Sequence, residues 1–217
     1  MNKLVEGVLK FQQEEYPKRK ELFRTLAKGQ QPEALFIACS DSRVDPNLVT
    51  QTEPGELFIC RNAGNIVPPH TNHTGSMTAS IEFALGALQV PHIIVCGHSH
   101  CGAMKGAMKP EGLERLPHVK EWLAYVRGAT LIAEEKGASL SESERLDLLI
   151  RENVVLQMVH LRSHPYVAAH LAAGKVQVHG WVYDIEHGGV QAYDEASKRF
   201  VSVEERYRAE MTGAVSG

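Results

Sequence analysis

No stretch of this chain approaches the roughly 18 consecutive apolar residues of a membrane-spanning helix, so no membrane partner is expected. Neither sign of charge dominates. The 23 Lys and Arg are set against 26 Asp and Glu, interleaved along the chain, for a net charge of −3. No bulk field therefore draws the protein to nucleic acid or acidic lipid, and the lysines of residues 105–120 are too few and too mixed to form a basic patch. Cysteine is scarce: four residues, at 39, 60, 96 and 101, with no Cys-x-x-Cys pair. That excludes a disulfide scaffold and a thioredoxin-type centre, and it suits metal binding in a reducing compartment. Met1 to Lys10 carries Glu6 and Lys10 among its apolar residues. It has no uninterrupted apolar core of the secretion-signal kind, and the expectation is a cytoplasmic protein. Internal repeats, low-complexity segments and domain boundaries are also missing. With 217 residues, 43% of them hydrophobic, the chain can bury a core as one domain.

Apolar side chains at Leu4, Val5, Val8, Leu9 and Phe11 have helical spacing over residues 3–16. Pro17 can open a second helix running to about Ala27, stopped by Gly29. This stripe can pack on the chain's own core or on a partner subunit. A strand–helix alternation follows. Ala34 to Ala38 is a continuous apolar run, read as a strand buried on both faces. Asp45 N-caps a short helix at Pro46. Further strands are expected at Glu56–Cys60, His92–Cys96, Val176–Tyr183 and Val190–Tyr193. Helices are expected over 74–88, 117–136, 141–161 and 163–173, with a polar, helical tail past Val203. The pattern predicts an α/β fold with a mostly parallel sheet flanked by helices. In such sheets ligands bind beyond the carboxyl ends of strands, where strand order reverses.

Cys39-Ser-Asp-Ser-Arg43 follows the first apolar run, and His98-Ser-His-Cys-Gly102 follows the third strand. Cys39 and His98 thus lie one or two residues past strand ends, and the His-x-x-Cys spacing lets the second loop supply Cys101 as well. If those strands are neighbours, the three converge as ligands for Zn²⁺. A fourth cysteine or histidine at matching spacing is missing. Water fills the fourth position, as in a catalytic site, or Asp41 does. Asp41 and Arg43 add a carboxylate and a guanidinium that a structural zinc knot does not need.

Together with Glu53-Pro-Gly-Glu, Arg61-Asn-Ala-Gly-Asn65, Ser80-Ile-Glu-Phe83 and His179-Gly-Trp-Val-Tyr-Asp184, these motifs resemble the β-class carbonic anhydrases. The likeness runs from the N-terminal helices to about Phe200. It implies one domain over 1–217, with residues 1–28 as a helical arm on a partner subunit, and a homodimer or larger assembly, such as a tetramer. The implied reaction is reversible hydration of CO₂ to bicarbonate and a proton by zinc-bound hydroxide, with one Zn²⁺ per chain held by Cys39, His98 and Cys101. Asp41 and Arg43 become a catalytic pair, Arg43 holding Asp41 off the metal through a charge-assisted contact. Gln30 and the backbone N–H of Gly102 would bind bicarbonate oxygens, and Phe58, Ala63 and Phe83 would form the apolar wall. Phe83 stands where some members carry Tyr, which removes a hydroxyl.

Two thiolates donate more charge to the metal than imidazoles would, so activity is expected to rise through mildly alkaline pH. Arg61 and Tyr183 match two residues of a regulatory bicarbonate site in some members, but Phe36 replaces its Trp and favours an always-accessible metal. His70, His73 and His100 are proton-relay candidates, and each reads more simply as an exposed loop histidine. Cys60 and Cys96 are read as buried thiols. Rival readings on the same residues are a carbon disulfide or carbonyl sulfide hydrolase and a non-catalytic zinc or bicarbonate-binding protein.

Overall fold

The computed structural model describes residues 1–212. Its N-terminal arm is α1 (Asn2–Lys10), a π-helical segment (Phe11–Glu15), the short α2 (Tyr16–Lys18) and α3 (Lys20–Leu26). The two helices expected from periodicity are therefore broken further. Pro17 has no N–H for the α-helical ladder, and beside it the ladder widens. α1 buries none of its residues, and Leu4, Val8, Leu9 and Phe11 are exposed.

The body alternates as expected: β1 (Ala34–Cys39), α4 (Pro46–Thr50), β2 (Leu57–Asn62), α5 (Ser76–Gly86), β3 (His92–His98), α6 (Gly102–Met108). Then come α7 (Pro117–Trp122), α8 (Arg127–Lys136), α9 (Glu142–Arg162), α10 (Pro165–Ala172), β4 (Gln177–Tyr183), β5 (Val190–Asp194), β6 (Arg199–Ser202) and α11 (Val203–Met211). A 3-10 turn at Leu123–Val126 splits the helix expected over 117–136. Asp45 caps α4 as expected, its side chain accepting from Leu48 N.

The six strands lie in the order β2-β1-β3-β4-β5-β6. The first four strands are parallel; β5 and β6 join antiparallel. From β1 the chain goes one way to β2 and returns to the other side of β1 for β3. The order thus reverses at the β1/β3 boundary, where a ligand crevice opens in sheets of this kind.

All six residues of β1 are buried, which explains its unbroken apolar run. Alternate side chains serve two cores. Leu35, Ile37 and Cys39 join the large core under α5, α8 and α9, while Ala34, Phe36 and Ala38 face a smaller cluster with Ile94 and Cys96. Two glycines let α9 lie close to the sheet. A Cβ on Gly97 would stand 2.8 Å from Val154 Cγ2, and one on Gly180 would stand 2.5 Å from Met158 Sδ. A reciprocal cap starts α9: Ser141 Oγ accepts from Glu144 N, and the Glu144 carboxylate accepts from Ser141 N.

Candidate metal centre

Cys39 is the last residue of β1 and His98 the last of β3; both strands run further than sequence alone suggested, so these ligands stand on the sheet itself. Cys101 follows after a turn in which His100 adopts φ 57°, and it N-caps α6. All three are buried. One ligand atom from each lies within 4.8 Å of the other two.

The imidazole carries the clearest sign of a metal. His98 Nδ1 lies 2.9 Å from the Ser99 carbonyl, an acceptor, so Nδ1 must hold the proton and Nε2 a bare lone pair. That Nε2 is buried with no hydrogen-bond partner among the described residues. A buried acceptor left unpaired costs free energy, and a cation between it and two thiols removes the cost. The Cys39 thiol is held well below its usual range, chiefly by a hydrogen bond from Cys101 and further by the Gly64 N–H, against the opposing effect of burial. The same bond, with burial, pushes Cys101 up. The two sulfurs thus share a proton that a dication would displace. Two thiolates and one neutral imidazole form a donor set suited to Zn²⁺, with a position left open.

Next to this corner Arg43 grips Asp41 with both prongs, Nε to Oδ1 at 2.9 Å and a terminal nitrogen to Oδ2 at 2.7 Å, while the Arg43 backbone N–H adds a third bond to Oδ1 at 3.0 Å. Arg43 also donates to the His100 carbonyl at 3.2 Å, which ties the first ligand loop to the second. Arg43 holds the Asp41 carboxyl well below the usual carboxylate range. A carboxylate has about four acceptor sites, two on each oxygen. Arg43 fills both on Oδ1 and one on Oδ2. The remaining site is on Oδ2, the oxygen that lies 3.9 Å from His98 Nε2.

The other expected residues are less buried than the ligand trio. Gly102 opens α6 and is exposed. Phe58 on β2 and Phe83 on α5 pair their rings at 5.9 Å, with Phe83 48% exposed. Ala63 is exposed and gives its carbonyl to Trp122 Nε1 at 2.8 Å. Gln30 is exposed between α3 and β1, and among the described residues no hydrogen bond ties it to the ligand trio. Arg61 directs its guanidinium to the backbone carbonyls of Cys39, Asp41 and Val44 at 2.7–3.0 Å, bracing the loop that carries Asp41. Burial pushes Cys96 up to about 12, as expected of a buried thiol. Cys60 is raised too but is only half-buried, contrary to expectation, because β2 is an edge strand.

Sequence reasoning missed Trp122, Asn153 and Gln157. The last two stand in the buried stripe of α9 among Leu146, Leu149, Ile150, Val154, Met158 and Leu161. Two amides at apolar-stripe positions four residues apart were a readable signal.

Comparison with known proteins agrees with this geometry. A family profile described as "Carbonic anhydrase" matches residues 34–190. The carbonic anhydrase of Pseudomonas aeruginosa is 48% identical over 217 residues, covering 100% of this chain and 98% of the relative. Carbonic anhydrase 1 of Escherichia coli O157:H7 is 46% identical over 201 residues, covering 93% and 91%. Among solved structures, the β-carbonic anhydrase CcaA superposes with a TM-score of 0.91 at 44% identity, covering 93% of this chain and 98% of that one. A structure from Sordaria macrospora, described as one of two tetrameric β-carbonic anhydrases, gives 0.78 at 31%, covering 88% and 95%.

Proposed function

This chain belongs to the β-class carbonic anhydrases, and from that premise we propose how its own residues carry the reaction. The activity is the reversible hydration of CO₂ to bicarbonate and a proton, with zinc as cofactor. When bound, Zn²⁺ supplies the Lewis acidity that makes water nucleophilic near neutral pH. Cys39, His98 and Cys101 would hold it.

Asp41 would accept a hydrogen bond from the attacking water through Oδ2 and so fix the direction of its remaining lone pair. The observation that carries this reading is the bidentate Arg43 clamp, which leaves Asp41 one free acceptor site on the oxygen near His98. Arg43 thereby keeps Asp41 from swinging onto the metal. The N–H of Gly102 would donate to a bicarbonate oxygen at the start of α6. Phe58, Phe83 and Ala63 would exclude water from the apolar CO₂, and Gln30 would donate its amide to the product anion.

Gln30, Ala63, Phe83 and Gly102 are exposed on a single chain, which supports completion of the pocket across a dimer. The exposed apolar stripe of α1 supports a role for residues 1–28 as an arm on a second copy, attached to one domain that spans the chain. A homodimer is the minimum unit proposed, and a tetramer fits the assembly named for the Sordaria protein. Four free cysteines support a reducing, cytoplasmic location.

Stopped-flow CO₂ hydration on zinc-quantified protein tests the reading. Wild type should turn over with a rate rising through mildly alkaline pH. Asp41→Ala should lose at least about 100-fold in kcat/KM while keeping one zinc per chain. Full activity in Asp41→Ala would remove Asp41 from the mechanism.

A further inference from the structure

Gly64 donates its N–H to Cys39 Sγ at 3.3 Å, and a side chain from another element holds the peptide on each side of it. The 63–64 peptide places its carbonyl, on Ala63, 2.8 Å from Trp122 Nε1 at the end of α7. The 64–65 peptide places its carbonyl, on Gly64 itself, 3.0 Å from Asn153 Nδ2 on α9. Asn153 is wholly buried and is itself oriented: its Oδ1 accepts from Gln157 Nε2 at 2.8 Å, and Gln157 Oε1 accepts from Val67 N at 2.9 Å. Gly64 has φ +83°, and a Cβ there would stand 2.9 Å from Met104 Cε and 3.1 Å from Ala103 Cβ. A side chain at that position would be strained and crowded; glycine lets the backbone come this close to the sulfur.

We propose that Trp122 and Asn153 are positioning residues for the metal centre, jointly aiming the Gly64 N–H at the Cys39 sulfur and setting how much charge that thiolate gives the metal. The proposal rests on the zinc reading above. The Trp122 bond matters most, because it ends on the carbonyl of the same peptide whose N–H meets the sulfur. Donation into a peptide carbonyl strengthens that peptide's N–H as a donor. A hydrogen-bonded thiolate is a weaker donor to its metal, and such outer partners commonly change metal affinity or activity about 10- to 100-fold. Trp122 is half-buried against the core, so phenylalanine can keep its packing and remove only the indole N–H.

The test uses full-length protein loaded with Co²⁺, whose thiolate-to-metal charge-transfer band reports sulfur donor strength without reference to turnover. In Trp122→Phe the band should move to longer wavelength, and zinc-loaded kcat/KM should fall about tenfold, with thermal stability nearly unchanged. Asn153→Ser should shift the band the same way, and if that variant does not fold, Trp122→Phe alone decides. A band unmoved in Trp122→Phe overturns the proposal, whatever the melting temperature does. A wild-type protein with no thiolate-to-cobalt band would instead refute the Cys39 and Cys101 ligand assignment, a separate failure.

Discussion

Replacing Arg43 by lysine separates charge from geometry at the candidate catalytic pair. Lysine keeps the positive charge but is a point donor, whereas Arg43 spans both oxygens of Asp41 at 2.9 and 2.7 Å. Arg43 is 47% exposed, so solvent screens the attraction itself and what lysine forfeits is the direction imposed on Asp41. Outer partners that orient groups at a metal site commonly change activity ~10- to 100-fold. We therefore expect kcat/KM to fall at least ~10-fold in Arg43→Lys and at least as far in Arg43→Ala, with zinc content unchanged. Protonation does not explain the loss. Without Arg43, Asp41 would return toward the ordinary value of ~3.9 and stay ionised throughout neutral and alkaline pH. Raising the pH should not restore either variant. Stopped-flow rates from neutral to alkaline buffer check this, and an Arg43→Lys enzyme with full activity would refute the geometric argument.

His179 should make the protein acid-sensitive. Burial, with His92 and Arg206 nearby, lowers it from 6.5 to about 4, and burial lowers His160 and His164 too. The unfolded chain binds the proton more tightly, so the His179 contribution is complete above ~6.5 and is lost as pH falls toward 4, by ~3 kcal/mol at most. Urea unfolding of His179→Gln against wild type should show a flatter acid limb, and parallel limbs would be evidence against the assignment. Gly180→Ala should cost ~1–3 kcal/mol through overpacking, because the new Cβ falls 2.5 Å from Met158 Sδ and 2.8 Å from Val154 Cγ1. An unshifted melting temperature would mean that α9 yields freely.

The legible parts are those where neighbouring residues carry their own physics. The apolar run at β1, the Asp45-Pro46 cap and the spacing of His98 to Cys101 are local signals, and each lies in the structure where its chemistry required. Asp41 and Arg43 were legible as a pair because only Ser42 stands between them in the chain. The edge strand β6 was not, since Arg199–Ser202 is four residues long and only its pairing with β5 makes it a strand. The split of the 117–136 helix by a 3-10 turn was equally hidden, because helical periodicity does not distinguish α from a tight 3-10 turn.

The chain by itself determined the donor set, two thiols and an imidazole, and the α/β alternation that sends them to strand ends, because ligand chemistry and hydrophobic period are properties of residue type. Tertiary structure decided how those donors are aimed. Asp41 keeps one free acceptor site because Arg43 folds back to fill three, and Gly64 meets Cys39 because Trp122 and Asn153, 58 and 89 residues away by number, hold its two peptides. A hydrogen bond depends on position and direction, and for partners so distant in the chain only the completed packing supplies both.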